Sequence, residues 1–363
     1  MILDRLKALR SALGRRSWEL LLDRVYPLVD ATGAEEGQPF PHDYAMPPHT
    51  ESKRYGWTHY GVMIPDLPAP HRFFSIMSIV GTPGALAFDN DFALRDTPRR
   101  NATVVSGTAA THPAHFGSHS IGADCEMAAD GSVVRFGNEV EFRGEYPRYR
   151  VRAEYAGFRL DLDIRNTDKV SWFMKTPLYD HFSLLSQYSG QLRWRGKTSE
   201  VAGLCTFEYA ACSSPYLLRD RPLPPALKLP LDFFTYQIIN LDPREQLLLT
   251  KVCISGATAV SRIYLRSLEQ NGVRHPAEFE VLEYREEDGV APDGRRMRLP
   301  QRFRWSAAGD DGEPLLELQG EVDTPFTFGL GSGYVGGYRY AGNYRGRKIS
   351  GRGYIEYIDR LQG

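Results

Sequence analysis

The spacing of apolar residues changes once along the chain. Residues 2 to 29 carry leucine and isoleucine at three- to four-residue intervals, as on one face of a helix, and Pro27 ends that run. From about residue 55 the interval becomes two: in the stretch YRVRAEYAG, Val151 and Ala153 alternate with charged residues. An apolar face opposite a charged face is typical of an antiparallel sheet that covers a core. The pattern therefore predicts one amphipathic helix followed by many strands.

Turn-forming residues separate the predicted strands at short intervals. The clusters AADGS, RNTD, LDPRE and PDGRR are rich in residues that reverse the direction of a chain. Helical patterns are scarce after residue 30, and many short strands without intervening helices imply sandwiches or barrels. Gly351 and Gly353 in the closing strand would permit the sharp coiling that closes a barrel. We therefore expect an all-β protein.

Composition and charge exclude several classes of protein. A chain of 363 residues is long enough for two domains, and its formal net charge of −1 gives no overall attraction to nucleic acid. The four cysteines show no CxxC spacing, as expected of free thiols in a reducing cytoplasm. The basic side of the N-terminal helix leaves two interpretations open, a helix packed on the protein body or a peripheral contact with a membrane surface. We expect a cytoplasmic protein without a nucleic-acid partner.

Three segments resemble a known family. They are YSGQLRWRGKTSEVAGLCTFEYA, LDFFTYQIINLDPREQLLLTKV and the terminal YRGRKISGRGYIEYID. All three look like motifs of the AttH-like and carotenoid 1,2-hydratase group, whose members consist of two lipocalin-like barrels in tandem. The resemblance covers roughly residues 55 to 363. It implies two tandem lipocalin-like antiparallel β-barrels behind the N-terminal amphipathic helix.

This fold and the punctuation of the sequence suggest four parts. We expect the helix in residues 1–30, the first barrel in residues 31–218 and the second barrel in residues 231–363. The proline-rich stretch RDRPLPPALKLP, residues 219–230, is the predicted linker between the barrels.

The resemblance also implies a class of chemistry. Lipocalin-like barrels bind apolar ligands in a cavity lined by inward-facing side chains. Hydration, isomerisation or cyclisation of an isoprenoid alkene needs a protonated carboxylic acid, which burial in an apolar pocket favours. Aromatic faces can stabilise the resulting cation. We therefore expect binding of an isoprenoid- or lipid-like molecule, with catalysis that needs no metal or cofactor; the alternative is a carrier that does not convert its ligand.

Three residues are candidates for the acid–base chemistry. Glu208 is favoured by the resemblance alone, since the family usually places an Asp–His pair where this chain has Phe207, Glu208 and Tyr209; the alternative is a buried glutamate held by an arginine. Asp180 and His181 lie in the aromatic-rich stretch WFMKTPLYDHFSLLSQYSG. Because adjacent strand residues point to opposite faces, Asp180 and His181 should not share one cavity unless a bulge intervenes.

The remaining candidates would line the ligand cavity or its rim. His119 belongs to a cluster of three histidines. In an extended strand their spacing, roughly 10 to 13 Å, is too wide for one metal ion, so only a folded loop would allow a metal site there, and we expect a rim or polar-network role for His119. For Asp232, at the start of the second barrel, and Glu356, in the closing strand, the alternative is a hydrogen bond that fixes strand order. The aromatic residues expected on the apolar wall are Tyr209, Trp172 and Phe233.

Overall fold

The computed structural model describes residues 14–360. Within them, helix α1 occupies residues 14–24 and a further helical turn, α2, occupies Tyr26–Val29. The predictions made for residues 1–13 of the amphipathic helix lie outside the described residues. Neither described N-terminal helix is long and apolar enough to cross a membrane.

Eleven antiparallel strands form the first sheet. They lie side by side in the order β4-β3-β2-β1-β11-β10-β9-β8-β7-β6-β5. Because β1 and β11 pair with each other, the sheet curls into a nearly closed barrel whose two edges, β4 and β5, are joined by the short helix α3 (Ile121–Asp124). The strands are β1 (Trp57–Leu67), β2 (Arg72–Gly81), β3 (Asn101–Thr108), β4 (His115–Ser120), β5 (Cys125–Met127), β6 (Val133–Phe136), β7 (Val140–Glu145), β8 (Arg148–Tyr155), β9 (Phe158–Thr176), β10 (Tyr179–Trp194) and β11 (Lys197–Cys212).

The second sheet has nine strands in the order β19-β18-β15-β14-β13-β12-β22-β21-β20. Strand β19 also pairs with β21, which closes the barrel and leaves β20 attached to its side. Strands β16 and β17 form a separate two-stranded ribbon. The strands are β12 (Leu231–Asn240), β13 (Glu245–Ile254), β14 (Ala257–Ser267), β15 (Val273–Tyr284), β16 (Gly289–Val290), β17 (Arg296–Met297), β18 (Pro300–Ala308), β19 (Pro314–Val322), β20 (Thr327–Leu330), β21 (Gly333–Tyr344) and β22 (Arg347–Asp359).

The predicted fold class is confirmed: the protein is built from two antiparallel barrels in tandem. The segment between the two sheets, residues 213–230, packs on the first barrel. The Leu229 amide donates to the carbonyl of Gly84 at 2.8 Å, and the Leu86 amide donates to the carbonyl of Leu229 at 3.0 Å. Lys228, although almost fully buried, is paired with Asp89 at 2.9 Å and with Asp91 at 2.6 Å. These contacts fix the point at which the second barrel begins.

Aromatic side chains fill the interior of each barrel. In the first barrel the chain before β1 enters the interior, and Phe40 lies 4.7 Å from Phe182 and 5.1 Å from Tyr146 between ring centroids. In the second barrel Phe279 lies 5.0 Å from Trp305 and 5.7 Å from Phe303. The inward-facing side chains therefore pack against one another.

The outer faces of the two barrels also pack against each other. Strand β1 is buried without a break from residue 58 to residue 65, which means that both of its faces are covered. Across the contact, Phe73 of the first barrel lies 5.6 Å from Tyr354 of the second, and Phe173 lies 5.5 Å from Tyr236. Met63 and Phe73 accordingly belong to the same apolar cluster as the core of the second barrel.

A buried arginine ties this contact together. Arg266 on β14 is 2% exposed and donates to the backbone carbonyl of Ser183 at 2.7 Å and to its hydroxyl at 3.1 Å. The same guanidinium donates to the side-chain oxygen of Gln246 at 2.6 Å. Since a buried polar group is costly without a partner, these hydrogen bonds select one docking of β14 against β10.

We predict that Arg266→Ala lowers the free energy of unfolding by about 3 kcal/mol, because Ser183 and Gln246 lose their buried donors. Urea unfolding followed by circular dichroism measures the change. Arg304→Ala is the matched control: the exposed Arg304 side chain pairs with Glu280 at 2.7 Å, and its loss should cost less than about 1 kcal/mol. Equal effects of the two substitutions would contradict the structural role of Arg266.

Candidate functional site

An apolar cavity of about 320 Å³ lies between the two barrels. Trp18 and Leu22 of α1 line it on one side, Trp57 and Phe173 belong to the first barrel, and Phe234 belongs to the second. The N-terminal helices are held at this place by backbone and side-chain contacts with the end of β9. The cavity is large enough for a small organic molecule and has the apolar lining that such ligands need.

Contacts between the N-terminal segment and β9 are specific. The Tyr26 hydroxyl lies 3.1 Å from the sulfur of Met174, and the Ala31 amide donates to the carbonyl of Lys175 at 2.8 Å. The side chain of Lys175 also pairs with Glu35 at 2.6 Å. These contacts place α1 over the cavity.

Strand register brings three polar side chains together on the wall of this cavity. His59 on β1 and His181 on β10 both lie opposite Ala210 of β11, one from each side. Glu208 is two residues from Ala210 on β11 and therefore shares its face of the sheet. All three side chains point outward from the first barrel, toward the second.

Glu208 is a buried carboxylate with partners from both barrels. Its side chain accepts a hydrogen bond of 2.5 Å from the hydroxyl of Tyr236 on β12, and its other oxygen lies 3.7 Å from Nε2 of His59. Burial acts to raise the pKa of Glu208, but its interactions with the nearby His59 and His181 rings and the hydrogen bond from Tyr236 outweigh that effect and lower this pKa below its usual range. The sequence left open the alternative that an arginine holds Glu208. In the structure a tyrosine and a histidine contact its carboxylate instead.

The two histidines each use one ring nitrogen for a fixed contact. Nδ1 of His59 lies 2.8 Å from the carbonyl oxygen of Ser78, which requires that Nδ1 carry a proton and donate. Nδ1 of His181 lies 3.1 Å from the hydroxyl of Tyr179, while its buried Nε2 has no hydrogen-bond partner among residues 14–360. Burial, together with the neighbouring His59, lowers the pKa of His181 to about 3, so its ring is neutral.

Glu356 supplies a second carboxyl group to the same cavity. Its side chain is 1% exposed and accepts a hydrogen bond of 2.9 Å from the hydroxyl of Tyr354. Burial and then the charge of Glu208 raise the pKa of Glu356 well above its usual range. The pKa values of these two buried carboxyl groups are therefore shifted in opposite directions, as expected of a pair that divides the roles of base and acid.

Two of the three predicted acid–base candidates line the cavity. Glu208 and His181 do so, and the side chain of Asp180 points the opposite way. Its carboxylate accepts a hydrogen bond of 3.1 Å from the hydroxyl of Tyr44, which lies among the aromatic residues of the first barrel. Asp180 and His181 thus occupy opposite faces of β10, as alternation requires.

The three aromatic residues expected on the ligand wall lie inside the barrels instead. The Tyr209 hydroxyl donates to the carbonyl of Pro47 at 2.7 Å, and the ring of Trp172 lies 4.9 Å from that of Phe182. Phe233 contacts Tyr357 at 5.6 Å in the second barrel. The cavity adjoins the outer faces of the sheets, so a chain neighbour of each residue faces it instead. These neighbours are Glu208 beside Tyr209, Phe173 beside Trp172 and Phe234 beside Phe233.

His119 and Asp232 are placed away from the cavity lining. His119 lies on the edge strand β4, with its ring 6.4 Å from Phe136. Asp232 accepts a hydrogen bond of 2.8 Å from the Gly256 amide at the end of the β13–β14 hairpin. Burial raises the pKa of Asp232 to about 6. A role for either residue in ligand binding stays a prediction.

His59 and Tyr236 were missed by the sequence reasoning. One signal was available: WTHYGVMIP and DFFTYQII lack the clean alternation of a strand with one solvated face. Strands of this kind are covered on both sides, so polar residues within them, such as His59 and Tyr236, are buried and need partners.

A family model matches residues 77–362, more than three quarters of the chain, and is described as a family of unknown function, DUF6670. The chain belongs to the DUF6670 family. Comparison of this DUF6670 protein with curated protein sequences gives no match.

Solved structures confirm the resemblance to AttH-like proteins at the level of the fold. A protein from Nitrosomonas europaea described as an AttH matches with a TM-score of 0.60 and 15% identity, over 90% of this chain and 97% of that one. Kievitone hydratase from Nectria haematococca matches with a TM-score of 0.56 and 12% identity, over 89% of this chain and 98% of that one. At such identities the likeness establishes a common fold.

We predict that Tyr236→Phe lowers the free energy of unfolding by about 2 kcal/mol, because it removes a charge-assisted hydrogen bond from a buried carboxylate. Chemical denaturation at neutral pH measures this loss. Tyr340→Phe, which removes a longer hydroxyl contact of 3.4 Å with the neutral carbonyl of Asn240, should cost less than about 1 kcal/mol. If both variants were equally stable, Tyr236 would not support Glu208.

Proposed function

We propose that this protein binds an apolar small molecule in the cavity between its barrels and transfers protons at the cavity wall. The observation that carries this proposal is a buried Glu208–His59–His181 cluster, with Tyr236 and Glu356, in an otherwise apolar enclosure of about 320 Å³. The reaction class that fits best is addition of water to an activated double bond, or the reverse elimination.

Each step of such a reaction has a group suited to it. The protonated carboxyl of Glu356 can give its proton to one carbon of the double bond, and water adds to the other carbon. The proton lost by that water passes to the Glu208–His59–His181 cluster. Glu356 has then lost one proton and the cluster has gained one, so that the number of protons on the protein is unchanged. The aromatic faces of Phe173, Phe234 and Tyr264 line the same cavity and would stabilise positive charge on the substrate.

The fold comparison supports this choice of reaction. Kievitone hydratase is, by its name, a hydratase, and it shares the two-barrel architecture over most of both chains. Fold alone does not assign chemistry, so the proposal depends on the polar cluster of this chain and takes from the comparison only the reaction class.

A second candidate function is a carrier that holds an apolar molecule without converting it. The observation in its favour is the cover that Trp18, Leu21 and Leu22 of α1 provide over the cavity, which would retain a bound ligand. Native mass spectrometry of freshly purified protein separates the two functions. If the bound compound is still unchanged after incubation with the protein, the carrier is supported. If a hydrated or dehydrated product forms, and Glu356→Gln abolishes its formation, the enzyme is supported.

We predict that the neutral fluorescent probe N-phenyl-1-naphthylamine binds in the cavity and that Ala259→Trp weakens its binding at least about tenfold. Ala259 lines the cavity, and an indole at this position would occupy much of its volume. A fluorescence titration gives the dissociation constant. Thr258→Trp is the matched control, because the neighbouring Thr258 side chain is exposed. Equal probe binding by both variants would overturn the proposed location of the ligand.

A further inference from the structure

Three potential ligand atoms converge on the cavity wall. They are one ring nitrogen of His59, one ring nitrogen of His181 and a carboxylate oxygen of Glu208, and all lie within 4.8 Å of one another. His59 and Glu208 are buried and His181 is half-buried. The separation of 3.7 Å between His59 Nε2 and Glu208 Oε2 is too long for a hydrogen bond. Something other than a direct hydrogen bond must therefore account for the approach of these two atoms.

Contacts behind the three side chains orient their lone pairs toward one another. Since Nδ1 of His59 donates to the Ser78 carbonyl, a neutral His59 carries its lone pair on Nε2, facing Glu208. Metal-binding histidines commonly donate the remote N–H to a backbone carbonyl in this way. The Tyr236 hydroxyl holds one carboxylate oxygen of Glu208 and leaves the other directed at His59. Tyr179 contacts Nδ1 of His181, so Nε2 of that ring is available.

We propose that His59, His181 and Glu208 form a binding site for a divalent transition-metal ion, with zinc as the best fit. Two histidines and one glutamate are a recurrent ligand set for catalytic zinc, in which the fourth position is left for water or substrate. The remaining position would face the apolar cavity, whose wall the three ligands share. With zinc bound, the ion would activate the attacking water in place of proton acceptance by these three side chains. This inference deepens the proposed function and rests on it only through the shared site.

The observed spacing is close to what a zinc site requires. Two ligands of a tetrahedral ion with bonds of about 2.1 Å lie about 3.4 Å apart. The 3.7 Å between His59 and Glu208 nearly meets this value, and the remaining separations, within 4.8 Å, need side-chain rotations that move a ligand atom by about 1 Å. A metal ion at this position would supply an activated water molecule next to a bound apolar substrate.

An ion pair is the competing explanation for the same geometry. If His59 were doubly protonated, its Nε2–H would face Glu208 and the three groups would form a proton-transfer cluster with no metal. The two explanations differ in a quantity that needs no substrate, namely the affinity of the protein for zinc.

The test is a zinc titration of the full-length protein after treatment with a chelator. We expect one tight equivalent of Zn²⁺ per chain, binding at least about 100-fold weaker in His181→Ala and Glu208→Gln, and about tenfold weaker in Tyr236→Phe, which alters only the support of Glu208. His42→Ala is the control, because His42 is exposed and is not one of the three ligands. Binding that is absent from the wild type, or unchanged in His181→Ala and Glu208→Gln, overturns the site.

A second measurement covers the case in which those variants fail to fold. Crystals of the wild-type protein loaded with Co²⁺ should show an anomalous peak between His59, His181 and Glu208; a peak only elsewhere overturns the site.

Failure of the metal site and failure of the proposed function give different results. Chelated protein that binds N-phenyl-1-naphthylamine but no Zn²⁺ contradicts the metal site alone, whereas Zn²⁺ binding combined with probe binding that Ala259→Trp leaves unchanged contradicts the ligand site alone.

Discussion

The buried carboxylate of Glu208 is the constraint on which the rest of the structure depends. A charge with 3% exposure is tolerated only where other groups replace the water it has lost. The first barrel supplies His59 and His181 from the strands on either side of Glu208, and the second barrel supplies the hydroxyl of Tyr236 at 2.5 Å. The same contacts therefore determine the chemistry of the site and the docking of the two barrels, and the hydrogen bonds from Arg266 to Ser183 add to that docking.

This arrangement explains why the candidate site lies outside both barrels. Aromatic side chains fill the interiors, as the contacts of Phe40 and Phe279 show. The strands at the contact between the barrels must bury their outer faces as well as their inner faces. The aromatic rings on these outer faces leave a cavity beneath α1. A cavity at such a contact can combine residues from both halves of the chain, which a cavity inside either barrel could not do.

The fold was readable from the sequence because alternation, turns and the three family-like motifs are local features. The site was readable only in part. Glu208 and His181 could be named from the sequence. Tyr209, Trp172 and Phe233 were predicted because the ligand cavity was expected inside a barrel. Since the candidate cavity adjoins the outer faces instead, the residues that line it are the other half of the period-two alternation. The two histidines beside Glu208 come from the neighbouring strands, as His59 and His181. Their approach to Glu208 depends on the pairing of β1 and β10 with β11, which local sequence does not reveal.

The most direct test of the account is the position of a bound apolar molecule. A crystal structure of the protein soaked with 1-bromonaphthalene would locate the bromine by its anomalous scattering. The account predicts a bromine between the barrels, within van der Waals distance of Phe173 or Phe234 and beside the Glu208 cluster. A bromine enclosed within either barrel, among residues such as Phe182 or Phe279, would contradict it.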